Sequence, residues 1–230
     1  MKICGLQKTT LLDYPEHIAC TVFLGGCNLR CPFCHNADLV VGKVEGIYSK
    51  EDILKYLHKR VGVLDGVCVT GGEPLIYEDT LEFLGELKSM GFLVKLDTNG
   101  FFPDRLEKAL KSGNVDYVAM DIKSSIDGYA AATGVASPDI DAVKRSIKLL
   151  ESSGVDHEYR TTVVRELHGE KEIAAIEALI GGAKKYFLQG FIDSGKVLGG
   201  TFTAHPKEKM HELLAVARKY VHDAQLRGIE

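Results

Sequence analysis

Residues 18–36 read IACTVFLGGCNLRCPFCHN. An apolar, strand-like run over 18–24 passes through Gly25 and Gly26 into a loop carrying Cys27, Cys31 and Cys34. Thiols at the carboxyl end of a strand stand where parallel α/β folds bind their ligands. Three sulfurs so close together can hold one metal centre from a single loop, and soft thiolates suit iron–sulfur clusters. A cubane [4Fe–4S] cluster held by three thiolates keeps one iron open to a ligand that is not protein. Two plainer readings stand beside this one. A structural zinc site takes four protein ligands, often as two distant Cys-x2-Cys pairs. Here Cys31 and Cys34 form one such pair and no second follows. A disulfide framework needs an oxidising compartment, and the chain shows neither a signal peptide nor a disulfide-rich composition. Cys4, Cys20 and Cys68 are scattered; Cys20 and Cys68 sit in apolar runs, where a thiol behaves as a small buried hydrophobe.

Outward from this stretch, strand-like and helix-like segments alternate. Strands are predicted over 18–24, 66–69, 93–98, 115–122, 157–164 and 186–191. Between them run helical stripes: Ile53, Leu57 and Val61; Leu81, Leu84, Leu87 and Met90; Leu106, Ala109 and Leu110; Ile140, Val143, Ile147 and Leu150; Ile173, Ile176 and Ile180. A last helix, about 206–222, carries Met210, Leu213, Leu214, Ala217 and Val221. Ser49 reads as an N-cap, Gly91, Gly113, Gly154 and Gly181 as helix ends, and Pro103 and Pro206 as first-turn prolines. Alternation of this kind implies a parallel sheet with right-handed crossovers and outer helices. Six units are too few for a closed eight-stranded barrel. The expected fold is therefore α/β, an open partial (β/α)6 TIM-like barrel. It would form a single domain over 1–230, with a core at about 18–200, an N-terminal extension at 1–17 and short strands or loops at 36–48.

The chain of 230 residues is 45% hydrophobic and 26% charged, ordinary for a globular protein with a large core. Its net charge of -4 gives no reason to expect nucleic acid as a partner. No apolar run approaches the roughly 18 residues that span a bilayer, so no membrane partner is expected and the cytoplasm is the expected compartment.

Strand parity points to a polar interior. Tyr117, Ala119, Asp121 and Lys123 share one face, and Val118, Met120 and Ile122 the other. Glu158, Arg160 and Thr162 lie opposite Tyr159, Thr161 and Val163. Apolar faces meet the helices, so the polar faces line the barrel and suggest a ligand cavity. Polar segments also follow the strands: TGGEP at 70–74, DTNG at 97–100, DIK at 121–123, and Gln189. Gly71 and Gly72 let backbone approach a ligand closely; the plainer reading is a tight turn, with Glu73 favoured by the dipole of a following helix. Asp97 and Asp121 on one rim call for a cation, a lysine or a ligand ammonium between them. Lys123 could neutralise one, a metal cation with Thr98 is another solution, and a rim salt bridge without function is a third. Arg160 could bind a carboxylate, or pair with Glu158 or one of these aspartates. His35 is either a fourth cluster ligand or a loop histidine touching the ligand; Phe33 is either loop packing or a contact to a nucleobase.

These motifs resemble the radical S-adenosylmethionine superfamily, whose C-x3-C-x2-C signature with an aromatic before the third cysteine is matched by CNLRCPFC. GGEP is similar to the superfamily segment that binds the amino group of the methionine moiety. DTNG and MDIK resemble segments of glycyl radical enzyme activases. GLQKTTLLDYP, FLGGCNLRCPFCHN and IKSSIDGYAAATG resemble the anaerobic ribonucleoside-triphosphate reductase activating proteins. The resemblance implies that Cys27, Cys31 and Cys34 ligate one [4Fe–4S] cluster and that S-adenosyl-L-methionine chelates its open iron. Phe33, Gly72, Asp121 and Lys123 would contact this cosubstrate, with His35, Asn36, Gly71, Glu73, Asp97, Thr98, Arg160 and Gln189 around it. Asp97, Thr98, Asp121 and the Met120 carbonyl match positions that hold a monovalent cation in some activases. Gln189 stands where some activases carry a histidine, and the inserted region with eight further cysteines found in many is lacking. One-electron cleavage would give a 5′-deoxyadenosyl radical, no side chain beyond the cluster and cofactor being catalytic. The implied partners are a glycyl radical enzyme, foremost the anaerobic reductase, and a low-potential donor such as flavodoxin or ferredoxin. Alternatives are a small-molecule enzyme in the manner of 7-carboxy-7-deazaguanine synthase, and a non-catalytic zinc or iron–sulfur protein.

Overall fold

The computed structural model describes residues 1–41, 45–193, 195 and 197–229. Residues 42–44 of the expected loop at 36–48, residues 194 and 196 of the expected core, and residue 230 lie outside the described residues. Eight strands form one sheet in chain order: β1 (Ile3–Thr10), β2 (Ala19–Leu24), β3 (Gly66–Gly71), β4 (Leu93–Thr98), β5 (Tyr117–Asp121), β6 (Asp156–Val163), β7 (Tyr186–Gly190) and β8 (Ala224–Arg227). β1 runs antiparallel to β2, and every later neighbouring pair is parallel. The order ends at β1 on one side and β8 on the other, so the sheet is open. The helices are α1 (Ala37–Val40), α2 (Lys50–His58), α3 (Thr80–Ser89), α4 (Pro103–Lys111), α5 (Tyr129–Thr133), α6 (Ile140–Ser153), α7 (Glu170–Ala175), α8 (Glu177–Ile180) and α9 (Lys207–Ala217), with a 3-10 turn at Pro74–Ile76.

The six expected strands are β2 to β7. β8 adds a seventh parallel strand beyond the last expected helix; its four residues, AQLR, are too few to show a period. Part of the N-terminal extension is β1, whose outward residues are polar and whose ends are buried. α2 starts at Ser49 through a capping box, Asp52 N–H donating to Ser49 Oγ at 3.1 Å and Ser49 N–H returning to Asp52 Oδ2 at 3.1 Å. Such a cap is worth about 1 kcal/mol. Some boundary readings shift: Pro206 is the N-cap of α9, not in its first turn, and that helix ends at Ala217, short of 222. Val61 lies past α2 and is exposed, and the left-handed residue after α8 is Gly182 (φ +86°), not Gly181.

The apolar strand faces meet the helices as expected. Val118, Met120 and Ile122 join Leu84, Leu87, Leu106, Val143 and Leu150 in one core, each such side chain contributing about 1.5–3 kcal/mol on burial. The opposite faces of β4, β5 and β6 carry buried polar groups inside the barrel: Lys95, Tyr117 and Glu158. Tyr14 covers the amino end of this interior, packed on Ala19 and Tyr117. The carboxyl end holds the ligand-sized opening.

Candidate active site

The loop that follows β2 carries the three thiols. Leu29, Cys31 and Phe33 bury themselves with Ala132, Val164 and Phe191 in a second apolar cluster, against which Cys27 and Cys34 pack. The loop is sewn to its surroundings by backbone bonds: Arg30 N–H donates to Thr133 O at 2.9 Å, and Gly26 N–H to Leu39 O at 2.8 Å. The glycines of TGGEP also answer a need within the chain itself. A Cβ on Gly71 (φ +128°) would lie 2.1 Å from Leu24 O, and one on Gly72 1.9 Å from Gly26 O. They let the end of β3 lie directly on the backbone entering the cysteine loop, where Glu73 N–H donates to Gly26 O at 2.9 Å.

A polar cavity opens beside this junction. Asn36, Gly71, Gly72, Asp97, Thr98, Asp121, Lys123, Arg160 and Gln189 line it, with Thr70, Pro74 and Asn99. Asn36 Nδ2 donates to Gly71 O at 3.3 Å. Between the two carboxylates lies the Arg160 guanidinium, its Nε 3.0 Å from Asp121 Oδ1 and its Nη1 3.2 Å from Asp97 Oδ2. Arg160 thus pairs with the aspartates and not with Glu158, which takes both nitrogens of the Arg227 fork at 2.7 and 3.1 Å. Lys95, fully buried, also pairs with Asp97, and Thr70 Oγ1 donates to it at 3.0 Å. Lys123 Nζ lies 3.0 Å from Asp121 Oδ2. Burial pushes the Asp121 carboxyl up, but the Arg160 and Lys123 charges outweigh it and hold it down at about 2. Of the charged groups lining the cavity, Lys123 and Arg160 balance Asp97 and Asp121, while Lys95 is buried away from the lining.

Three residues expected around the cofactor are placed outside the cavity lining. Glu73 is fully buried and caps the 3-10 turn. It accepts from Leu75 N–H (3.0 Å), Thr98 Oγ1 (2.9 Å) and Asn99 N–H (2.6 Å). Its role in the structure is to tie TGGEP to DTNG, since a carboxylate can satisfy three donors where a turn and a strand end meet. Burial lifts its pKa to about 7 against these donors. Phe33 is buried edge-on to His168 and Phe202. His35 stacks on Phe191 with ring centroids 5.0 Å apart, and burial lowers its pKa.

The thiols fit an iron–sulfur cluster. Burial pushes Cys27 up to about 12 and raises Cys31 and Cys34, while the Lys123 charge pulls all three down. Thiolates in such a place need metal cations to be stable.

The radical SAM sequence profile matches residues 21–179. The chain belongs to the radical SAM superfamily. Within it the chain groups with glycyl-radical enzyme activating enzymes. It is 33% identical to the pyruvate formate-lyase-activating enzyme of Clostridium pasteurianum, over 74% of this chain and 72% of that protein. It is 29% identical to a protein of Methanocaldococcus jannaschii named as a glycyl-radical enzyme activating enzyme, over 99% of this chain and 96% of the relative. Its fold is similar to Streptococcus suis SuiB bound to S-adenosylmethionine, with a TM-score of 0.71 at 14% identity over 90% of this chain; the chain spans about half of that structure, 52%.

In this radical SAM chain, two residues packed around the site, Asn99 and His168, carry no mark of their own in the sequence. Asn99 sits inside DTNG, and the motif itself is its only signal. His168 is fully buried, its Nδ1 accepting from Val164 N–H at 3.1 Å and its Nε2–H donating to Lys123 O at 2.8 Å. It holds the backbone of Lys123 and the edge of Phe33. No local pattern marks it, because the contact arises only when the segment after β6 folds back over DIK.

Proposed function

We propose that the chain activates a glycyl radical enzyme, and that the partner is an anaerobic ribonucleoside-triphosphate reductase. The observation that carries the reading is the polar cavity bounded by Gly71–Gly72, Arg160 and Lys123 beside the three-cysteine loop. Alignment over nearly the whole chain to a protein named as a glycyl-radical enzyme activating enzyme supports the activase part of the reading. When bound, a [4Fe–4S] cluster and S-adenosylmethionine supply one-electron cleavage of a sulfonium to a carbon radical that removes hydrogen from a glycine Cα. The protein contributes orientation and exclusion of water. Cys27, Cys31 and Cys34 would hold the cluster. Backbone groups of Gly71 and Gly72, with Asn36, would hold an amino group, and Lys123 with Arg160 a carboxylate. Gln189 and Thr98 remain for the nucleoside. The reading needs no monovalent cation between Asp97 and Asp121, since Arg160 bridges them. An open sheet suits a partner segment that must reach the cavity. A low-potential donor, flavodoxin or ferredoxin, and a reducing cytoplasm complete the reading.

Anaerobic reconstitution with iron and sulfide, followed by dithionite and S-adenosylmethionine, should yield 5′-deoxyadenosine. Incubation with the reductase should then give a glycyl radical signal by electron spin resonance. Deoxyadenosine without a protein radical would shift the reading to a small-molecule substrate, and a loaded cluster with neither product would defeat it.

A further inference from the structure

Asn99 is 4% exposed, and its backbone N–H and side-chain amide are all hydrogen-bonded. Its N–H donates to Glu73 Oε2 at 2.6 Å, and its Oδ1 accepts from Phe101 N–H at 3.1 Å. The second bond settles which end of the amide is which, because an N–H must meet the oxygen. The amide nitrogen therefore faces the cysteine loop, 2.8 Å from Asn28 Oδ1 and 3.8 Å from Cys27 Sγ. An amide has two N–H bonds, so one serves the oxygen and the other is available to the sulfur. Leu29 N–H also points at Cys27 Sγ, at 3.4 Å.

We infer that Asn99 is a positioning residue for the cluster, donating to the Cys27 sulfur and thereby raising the cluster's reduction potential. This rests on the cluster assignment made above. A donor on a ligating thiolate draws off negative charge, and reduction adds negative charge, so the donor favours the reduced state. Glu73 then has a consequence for the cluster: by clamping the Asn99 backbone it fixes where the amide can point.

The test is a redox titration of the reconstituted full chain without S-adenosylmethionine, following the spin signal of the reduced cluster. Asn99→Asp keeps the oxygen that Phe101 needs and loses the amide donors; Asn99→Ser removes the amide NH2 without adding charge, its single O–H standing one bond nearer the backbone. Both should lower the ratio of reduced to oxidised cluster at fixed potential on the order of tenfold, about 59 mV for one electron. Asn28→Ala removes an oxygen that both Asn99 and the Cys27 sulfur meet (2.8 and 3.8 Å) and leaves the amide donor, so its potential should move less than that of the Asn99 variants. A loaded Asn99→Ser cluster with an unmoved potential overturns the inference. So does an Asn28→Ala shift as large as that of Asn99→Ser, or iron loss confined to Asn99 variants, since either assigns the amide to loop assembly. Failure of the unaltered chain to form any cluster would instead defeat the assignment beneath it.

Discussion

At Cys27, Cys31 and Cys34 the residue type decides the outcome, because nothing else in the loop offers a soft anionic ligand. Replacing any one with Ala should remove most of the bound iron after reconstitution, measured as iron per chain, while Cys20→Ala, a buried thiol away from the loop, should keep it. Arg160 differs: its fork joins two carboxylates from neighbouring strands. Arg160→Met leaves Asp97 and Asp121 without their shared partner and should cost about 3 kcal/mol, read from urea unfolding. Arg160→Lys should recover only part of this, since an ammonium lacks the planar fork. The cysteines and aspartates were legible because each sits in a short contiguous motif. Which cation would stand between the aspartates was not, because Arg160, Glu158 and Arg227 compete, and only the register of β6 against β5 and β8 against β7 settles the pairing.

At the scale of elements, the site depends on how the turns after β3 and β4 meet the cysteine loop. Gly72→Ala places a methyl 1.9 Å from Gly26 O, so the loop must move. The expected result is lower iron content together with a stability loss of about 2 kcal/mol or more. An outcome with full iron loading would show the contact to be soft. Glu73 gives a pH signature. Its folded pKa, lifted to about 7 by burial against hydrogen bonds from Asn99, Leu75 and Thr98, lies above its ordinary 4.5. The folded state then binds the proton more tightly than the unfolded one, so this group's contribution favours folding below about pH 4.5 and is lost as pH rises through about 7. Glu73→Gln should flatten that slope in urea midpoints taken across the range. It should also cost about 1–3 kcal/mol throughout, because the new NH2 faces the Asn99 N–H. The strands themselves were legible from period and punctuation to within a residue or two. Glu73 does stand at a helix start, as its place in TGGEP suggests, but its bonds to Thr98 and Asn99 are not legible locally because these residues lie at the end of the next strand and just after it.

At the scale of the whole molecule, the question is what closes the polar interior that an open sheet leaves accessible. β8 supplies one answer. Arg227 reaches inward from β8 to Glu158 on β6, and the same carboxylate accepts from Tyr117 OH at 3.0 Å on β5. Glu158 is fully buried, while the Arg227 side chain is about a third exposed (31%) and lies over the Phe187 ring at 3.8 Å. One ion pair thus ties the edge strand to the middle of the sheet beneath the cavity. A four-residue strand, with only Ala224 and Leu226 packing on the core, has a short ladder to hold it and gains from the added pair. Arg227→Met keeps the stem and its packing on Phe187 but strands a buried carboxylate, and about 3 kcal/mol of stability should go with it. Adding Glu158→Gln should restore part of the loss, since the neutral amide still accepts from Tyr117 and no longer needs a counter-charge. Hydrogen exchange should localise the damage: the β7–β8 amides should open early in the single variant, while those of β2 and β3, at the far side of the sheet, keep their protection. Equal loosening at both sides would mean that the pair stabilises the barrel globally and not its edge.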